Sequence, residues 1–529
     1  KCWRGGEKNG NCAACAAPCS GNNRNTGIVF TEVERGDNTV HDYDVVIIGA
    51  GLIGCSIARE LSKYTLRAAV VEKADDVAEG ASKANSGIVH GGYTARSGTL
   101  KGQLAHRGNQ MFDQLERDLH FGFRRCGSLV LAFSEEEQKT LEALVANGRR
   151  NGVKGLSILD RNQVLEVEPS VNPEVHSALY CSEAGITSPY EYTIALAENA
   201  ILNGVDAWLS HEVVDIQRTA SGDFVVRTPR ADLRAHYVVN CAGITADTVA
   251  AMVGANNFRI TPRKGEYLVL DHSQGRLVRH VVFPLPSEKR GKGILVSPTF
   301  WGNLLLGPTA RDVHVAAEGR KTNTEVIRSI LSQSKHSVPN FDASHVITSY
   351  SGLRARSDRG DFIIEESSRV PRFINVCGID SPGLTSSPAV AQRVAGLLAG
   401  AGLSLAPCPN FRPQRPPIIQ PKSSAFKGSV LTTDNPSSHV ICRCERITEA
   451  EIIDALSRPP VVPTVDGVRK RARAGLGFCQ GKYCEPRVVE IISRVTGVPQ
   501  ARISRRSKGS SVLPHQRPTP ADRDFLSKL

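Results

Sequence analysis

A chain of 529 residues, 40% apolar and 22% charged, is long enough for roughly two to four domains and a sizeable core. No apolar run reaches the length of about 18 residues that a membrane-spanning helix needs, and Ala389 to Leu405, the most apolar late stretch, is interrupted by Gln392 and Arg393, so no span is expected. The formal charge of +12 is concentrated in residues 409–529, where 21 Lys and Arg face 10 Asp and Glu; few aromatics and no reading motif accompany it, so a solvated basic face is expected and not a nucleic-acid site.

Lys1 to Val40 has no apolar period and reads as an extension. Its Cys12-x-x-Cys15-x-x-x-Cys19, with Cys2 upstream, has metal-ligand spacing, but no fold-like context surrounds it, and alanine-rich low complexity is the preferred reading. Asp42 to Lys73 spells out a nucleotide-binding unit. Val45 to Ile48 read as a buried parallel strand, followed by Gly49, Gly51 and Gly54 in G-x-G-x-x-G spacing. Ile53, Ile57 and Leu61 recur at helical spacing, and Ala68 to Val71 form a second strand ending at Glu72 and Lys73. The glycines serve a tight turn, close approach to a pyrophosphate and packing of helix on strand; Glu72 stands where a carboxylate meets ribose hydroxyls. The unit predicts a dinucleotide without saying which.

Residues 79–93, E-G-A-S-K-A-N-S-G-I-V-H-G-G-Y, are dense in small residues that let backbone pass close to a flat ligand. Ser82, the Asn85-Ser86-Gly87 step and His90-Gly91-Gly92 resemble the second cofactor segment of the D-amino-acid-oxidase-like FAD superfamily, which includes the glycerol-3-phosphate dehydrogenases and the L-2-hydroxyglutarate oxidases. The resemblance implies that Ser82, Ser86 and Gly87 join Gly49, Gly51, Gly54, Glu72 and Lys73 in holding FAD, and that His90 lies by the flavin. On residue type alone His90 is equally a turn histidine.

Leu100 to His120 is predicted as one helix, Gly127 to Phe133 as a strand and Ser134 to Asn151 as a helix. Ser188-Pro189-Tyr190-Glu191 reads as a capping box with proline at the first helical position, opening a helix to about Asn203. Strands are expected at Asp206–Asp215, Phe224–Arg227 and Tyr237–Gly243; the resemblance implies that Val214, Ala242 and Gly243 line the cofactor. Phe258 to Leu270 alternates as a strand of a second sheet. There the resemblance turns Lys264 and Tyr267 toward the flavin, while a solvent-facing lysine at a turn is the plain alternative. Arg354 and Arg356 are two apart, so on an extended chain they share a face and can grip one anion. In the resembled family the G-L-R arginine holds the acid group of the substrate, which implies that role for Arg354.

Phe373 to Val390 reads as a strand, then Gly378-Ile-Asp-Ser-Pro-Gly383-Leu384-Thr385, similar to the family's G-I-E-S-P-G-L-T-type segment, with Ser387 capping and Pro388 opening a helix to about Leu398. Amides at such a helix start suit the edge of a flavin where negative charge collects on reduction, which favours FAD over NAD. Seven prolines between Leu405 and Ser438 make a stiff linker. Cys442-x-Cys444 and Cys479-x4-Cys484 then offer four thiolates in two pairs, enough for two irons or for zinc. The string R-A-G-L-G-F-C-Q-G-K-Y-C resembles the bacterioferritin-associated-ferredoxin-like [2Fe-2S] domain, with Arg469, Lys470, Arg471 and Arg473 expected to offset the cluster's charge. The remaining cysteines stand mostly singly and read as reduced thiols, not disulfides.

These readings predict an α/β FAD-binding domain, Rossmann-like and of glutathione-reductase type, with an inserted mixed β-sheet substrate domain and a small, mainly helical C-terminal [2Fe-2S] domain. The expected boundaries are an extension at 1–40, the FAD-binding domain at 41–100, 189–257 and 345–405, and the substrate domain at 101–188 and 258–344. A linker at 406–438, the cluster domain at 439–500 and a basic tail at 501–529 complete the chain. The resemblance implies a dehydrogenase that takes hydride from the carbinol carbon of a small anionic hydroxy compound, glycerol 3-phosphate first. His90, Arg354, Lys264 and Arg356 would serve the substrate, and electrons would leave through the cluster to a protein, quinone or oxygen. L-2-hydroxyglutarate or another 2-hydroxy acid is the alternative substrate; an electron-transfer module without a small substrate is the alternative of another class. Ser527-Lys528-Leu529, as a free C-terminal tripeptide, would be read by the peroxisomal import receptor, so a peroxisome or glycosome is expected, with cytoplasm or mitochondrion as alternatives.

Overall fold

The early glycine unit folds as its pattern dictates. Strand β1 (His41–Ile48) runs parallel to β2 (Ala68–Val71), with helix α1 (Leu52–Leu61) crossing between them. On β1, Val45 and Ile47 enter the core under α1, whereas Val46 and Ile48 enter the core on the opposite face. The strand Asp232–Asn240 lies parallel on the far side of β1, and Phe373–Cys377 lies parallel beside it in turn. Asp215–Arg218, Phe224–Arg227, Asp206–Trp208 and Ile363–Glu366 complete an eight-stranded sheet, with α1 and the helices Pro189–Leu202 and Gly383–Gly400 packed together on one face. This is a computed structural model, and it describes residues 40–285, 293–313, 321–416, 418, 437, 439–507, 510 and 512. The N-terminal cysteines and the Ser527–Leu529 tripeptide lie outside the described residues.

A second, nine-stranded mixed sheet stands where the substrate domain is expected, its longest pairing between Ile260–Leu270 and Val346–Ser357, with the helix Thr324–Ser337 over its core. Val346–Ser357 thus belongs to this sheet, although a boundary at residue 345 would place it in the FAD-binding domain. The C-terminal unit has a two-stranded ladder, Val440–Cys442 with Ile447–Thr448, and the helices Glu449–Ser457, Val465–Ala472 and Glu485–Thr496 around their own core. A capping box between Thr448 and Glu451 fixes the first of these helices.

Three local expectations are corrected. Leu100–His120 is two helices, Leu100–Asn109 and Phe112–Leu119. The break follows Gly108, where a side chain could not fit, since an added Cβ would stand 2.1 Å from the Thr385 carbonyl oxygen. Ser188 makes no capping hydrogen bond; its amide donates to the Gly122 carbonyl at 3.3 Å, and Glu191 accepts from Trp301 Nε1 at 3.0 Å. The late helix begins at Gly383, so Pro388 sits inside it. Proline cannot donate to the Leu384 carbonyl one turn back, and Ser387 Oγ does so instead at 2.9 Å. The described start of the linker is tied to the FAD-binding domain: the Arg412 carbonyl accepts from Asn199 and Asn203, and buried Arg415 pairs with Glu198 at 3.0 Å.

Candidate active site and redox centres

The cradle behind β1 fits a dinucleotide in its backbone. Gly49 has φ +104°, and a Cβ there would meet the Cys241 carbonyl oxygen at 2.6 Å; at Gly54 it would stand 1.9 Å from the Gly49 carbonyl oxygen. Both positions need glycine, one for the turn and one for close packing. α1 opens on Gly51, which offers no side chain as a cap, and has no acid in its first turn, so the amides beyond Leu52 at its positive end suit an anion. Ser82 Oγ reaches back to accept from the Leu52 amide at 2.8 Å and ties the second cofactor segment to this turn. Glu72 accepts from the Ala50 and Ala74 amides at 2.8 and 3.0 Å; burial pushes its carboxyl above the usual range against the pull of these amides. Lys73 is exposed. An added Cβ at Gly243, at the end of Asp232–Asn240 beside Ala242, would meet open space. Val214 is 53% exposed, and the neighbouring Val213 packs inward, as the alternation of extended chain requires.

The glycine step at 85–87 carries the second segment between the two sheets. Gly87, with φ +65°, leaves no room for a Cβ beside the Thr187 carbonyl, and the Asn85 side chain accepts from the Gly87 amide at 2.8 Å, with Ser86 between them. Three residues on, His90 is held by its backbone: its amide donates to Thr385 Oγ1 and its carbonyl accepts from Asn109 Nδ2, both at 2.9 Å. Its ring lies 5.9 Å from that of Phe283 in the second sheet. The start of the helix Gly383–Gly400, at Gly383, Leu384 and Thr385, is therefore joined to His90. Asn109 is wholly buried and also donates to the Glu183 carbonyl at 2.9 Å; a lone asparagine ending an amphipathic helix gave no sign of this role.

Opposite stands one face of the long antiparallel pair, where Arg354 faces Arg263, Gly352 faces Gly265 and Tyr350 faces Tyr267. The two tyrosine rings stack at 4.6 Å, and Tyr350 Oη donates to the Asn85 carbonyl at 2.8 Å, closing this face onto the cofactor segment. Gly352 permits that closure, since a Cβ there would stand 2.0 Å from the Ala84 carbonyl oxygen. The Arg354 guanidinium lies over Gly265 and reaches the Thr309 carbonyl at 3.3 and 3.4 Å and Tyr267 Oη at 3.5 Å. Arg356 is exposed and pairs with Asp312 at 3.3 Å. Lys264 is corrected as a partner of Arg354. It lies on the other face of its strand, buried, paired with Glu266 at 3.0 Å and donating to the Lys321 carbonyl.

The four cysteines of the C-terminal domain come together as two sulfur pairs, and each pair joins the two motifs. Cys444 Sγ lies 3.6 Å from Cys479 Sγ, while Cys442 pairs with Cys484, which pulls the Cys442 thiol down and pushes the Cys484 thiol up. The Gly475 amide points at Cys442 Sγ at 3.5 Å. Among the described residues no three His, Cys, Asp or Glu side chains gather around one ion. Two pairs of sulfurs suit a two-iron cluster with two thiolates on each iron.

The basic residues beside them are corrected, because they face protein carboxylates and not the sulfurs. Lys470 pairs with Asp76 and Glu79 at 2.6 and 2.5 Å, and Arg471 takes Asp76 with two hydrogen bonds at 2.8 and 2.9 Å. Asp76 and Glu79 lie in the loop that leads from β2 into the second cofactor segment. Arg469 pairs with Asp466 within its own helix. Arg473 is buried, bonds Glu445 at 2.9 Å and Tyr190 Oη at 2.9 Å, and lies 4.8 Å from the centre of the Trp301 ring.

Comparison with known proteins agrees with this geometry. Residues 44–397 match the FAD dependent oxidoreductase family, and residues 440–494 match the BFD-like [2Fe-2S] binding domain. The chain is 47% identical over 474 residues to glycerol 3-phosphate dehydrogenase of Caloramator mitchellensis, covering 89% of this chain and 98% of that one. It is 33% identical over 364 residues to glycerol 3-phosphate oxidase of Mycoplasma genitalium, covering 67% and 94%. Among solved structures, dithionite-reduced L-alpha-glycerophosphate oxidase from Mycoplasma pneumoniae with FAD bound has a TM-score of 0.69 at 31% identity, covering 72% of this chain and all of that one.

Proposed function

The chain belongs to the FAD dependent oxidoreductase family, and from that premise we propose that it is a dehydrogenase oxidising the secondary carbinol of glycerol 3-phosphate to the ketone. FAD, when bound, supplies a two-electron hydride acceptor, and the [2Fe-2S] cluster supplies one-electron carriage. The chain's own residues do the rest. The backbone at Gly49–Gly51 and the start of α1 hold pyrophosphate, and Glu72, oriented by the Ala50 and Ala74 amides, accepts from ribose hydroxyls. Arg354 is the observation that carries the reading. Its donors rest on a carbonyl and a hydroxyl at 3.3–3.5 Å, long bonds that a phosphate can replace with shorter, charge-assisted ones. His90, fixed through Thr385 and Asn109, stands at the second segment to take the carbinol proton.

The test is spectroscopic. Glycerol 3-phosphate should bleach the bound flavin without oxygen while L-2-hydroxyglutarate at the same concentration should not; bleaching by the hydroxy acid alone would overturn the substrate. Where Leu529 is the protein's own carboxyl terminus, Ser527-Lys528-Leu529 supports import into a peroxisome or glycosome. A fluorescent protein carrying residues 501–529 should then enter the organelle and stay in the cytosol once Leu529 is removed.

A further inference from the structure

We infer that the face of the C-terminal domain around Cys444 and Cys479 docks an acidic one-electron carrier protein, an inference that rests on the reaction proposed above. Among the described residues the exposed large apolar side chains include two aromatic rings, Phe478 at 67% and Tyr483 at 76% exposure. Phe478 precedes Cys479, and Tyr483 precedes Cys484. Bare aromatic rings gain nothing in water and are the residue type that anchors protein interfaces. Cys444 is exposed too, and the 3.6 Å between its sulfur and that of Cys479 puts the loops carrying rings and sulfurs on one face.

Charge narrows the partner. Arg443, Arg446 and Lys482 are exposed on these loops, Lys482 with its ammonium 5.8 Å from the centre of the Tyr483 ring. The acid within 442–446, Glu445, is turned inward, its side chain 4% exposed and paired with Arg473 and His272; residues 474–484 contain no acid, and Glu485, directly after Cys484, is neutralised by Arg505 at 2.9 Å. The exposed charge beside the sulfurs is therefore positive, complementary to an acidic surface. Lys470, Arg471, Arg473 and Glu445 tie this domain to the FAD-binding and substrate domains, while Cys444, Phe478 and Tyr483 stay exposed. Two rings on short loops lack the long apolar stripe of a helix lying in a membrane surface, so a protein suits this face better than a lipid.

The electrons balance. Each carbinol oxidised gives one ketone, two protons released to solvent and two electrons, and two carrier molecules each leave with one electron.

The test uses full-length holoenzyme with glycerol 3-phosphate and three acceptors: acidic rubredoxin, basic cytochrome c, and a small dye reduced at the flavin. Rubredoxin should be reduced faster than cytochrome c, and its rate should fall about tenfold or more between 0.05 and 0.5 M salt. F478A/Y483A should lower the rubredoxin rate about tenfold and K482E about threefold, with cluster spectrum and dye turnover unchanged. A rubredoxin rate indifferent to salt and to both variants would overturn the docking face. So would F478A/Y483A abolishing binding to anionic vesicles or self-association, which would give the face to a membrane or a second copy. If wild-type enzyme fails to reduce even the dye, the substrate reading fails instead, and an anaerobic bleach with another hydroxy acid identifies that case.

Discussion

Arg354 owes its position to a missing side chain. A Cβ on Gly265 would stand 2.4 Å from Arg354 Nη2, at the far end of a flexible side chain, so G265A should fold and push the guanidinium aside. The expected result is a KM for glycerol 3-phosphate raised about tenfold, with kcat and melting temperature little changed, read from steady-state kinetics beside a melting curve. R354L removes the charge altogether. Losing a charge-assisted contact of about 2–3 kcal/mol should lower kcat/KM roughly 30- to 150-fold while the flavin and cluster spectra stay as in the wild type. An electron carrier with no small substrate would be indifferent to either change. Lys264 teaches the same geometry in reverse: three residues from Tyr267 on one strand, it has to face the other way, and the parity of the chain alone was enough to separate them.

At the scale of elements, the glycine turn with its strands was legible because every contact that defines it is local, from Gly49 to Glu72. The helix Val465–Ala472 was not, since its basic residues satisfy carboxylates almost four hundred positions earlier, and no local pattern names such partners. A basic run beside four cysteines looks like compensation for a cluster's charge and is a docking strip. Cys444 and Cys479 met for a like reason: the motif gave the ligands, and only the fold gave the pairs. Asp76 makes the strip sensitive to acid. Burial alone would raise its carboxyl, but Arg471 and Lys470 outweigh burial and hold it at about 2. Because the folded value lies below the unfolded one of 3.8, the contribution, about 2 kcal/mol, is complete above pH 4 and disappears as pH falls toward 2. Denaturant melts of D76N should accordingly show less stability than wild type at pH 6, with the gap closing toward pH 2.

For the molecule as a whole, Arg473 is where the three parts meet. Its guanidinium bonds Glu445, next to Cys444 in the cluster domain, and Tyr190 at the head of a helix in the FAD-binding domain, and it stacks on Trp301 of the substrate domain. Trp301 in turn donates to Glu191, whose carboxyl burial pushes up to about 7, and His272 of the substrate domain holds the other oxygen of Glu445 at 3.1 Å. A methionine can fill the stem's volume but can make none of these hydrogen bonds, so R473M should leave the cluster loop free to shift against the flavin site. Each part would still do its own chemistry. With glycerol 3-phosphate in a stopped-flow instrument, the flavin should bleach at the wild-type rate while cluster reduction slows roughly tenfold or more, because transfer between two fixed centres depends on how closely they are held. R473K, which keeps the charge and a single-point bond, should recover part of the lost rate. Flavin and cluster phases slowing together in R473M would mean that Arg473 serves general stability alone, whereas a slowed second phase beside an unchanged first locates its effect in the alignment of the two redox domains.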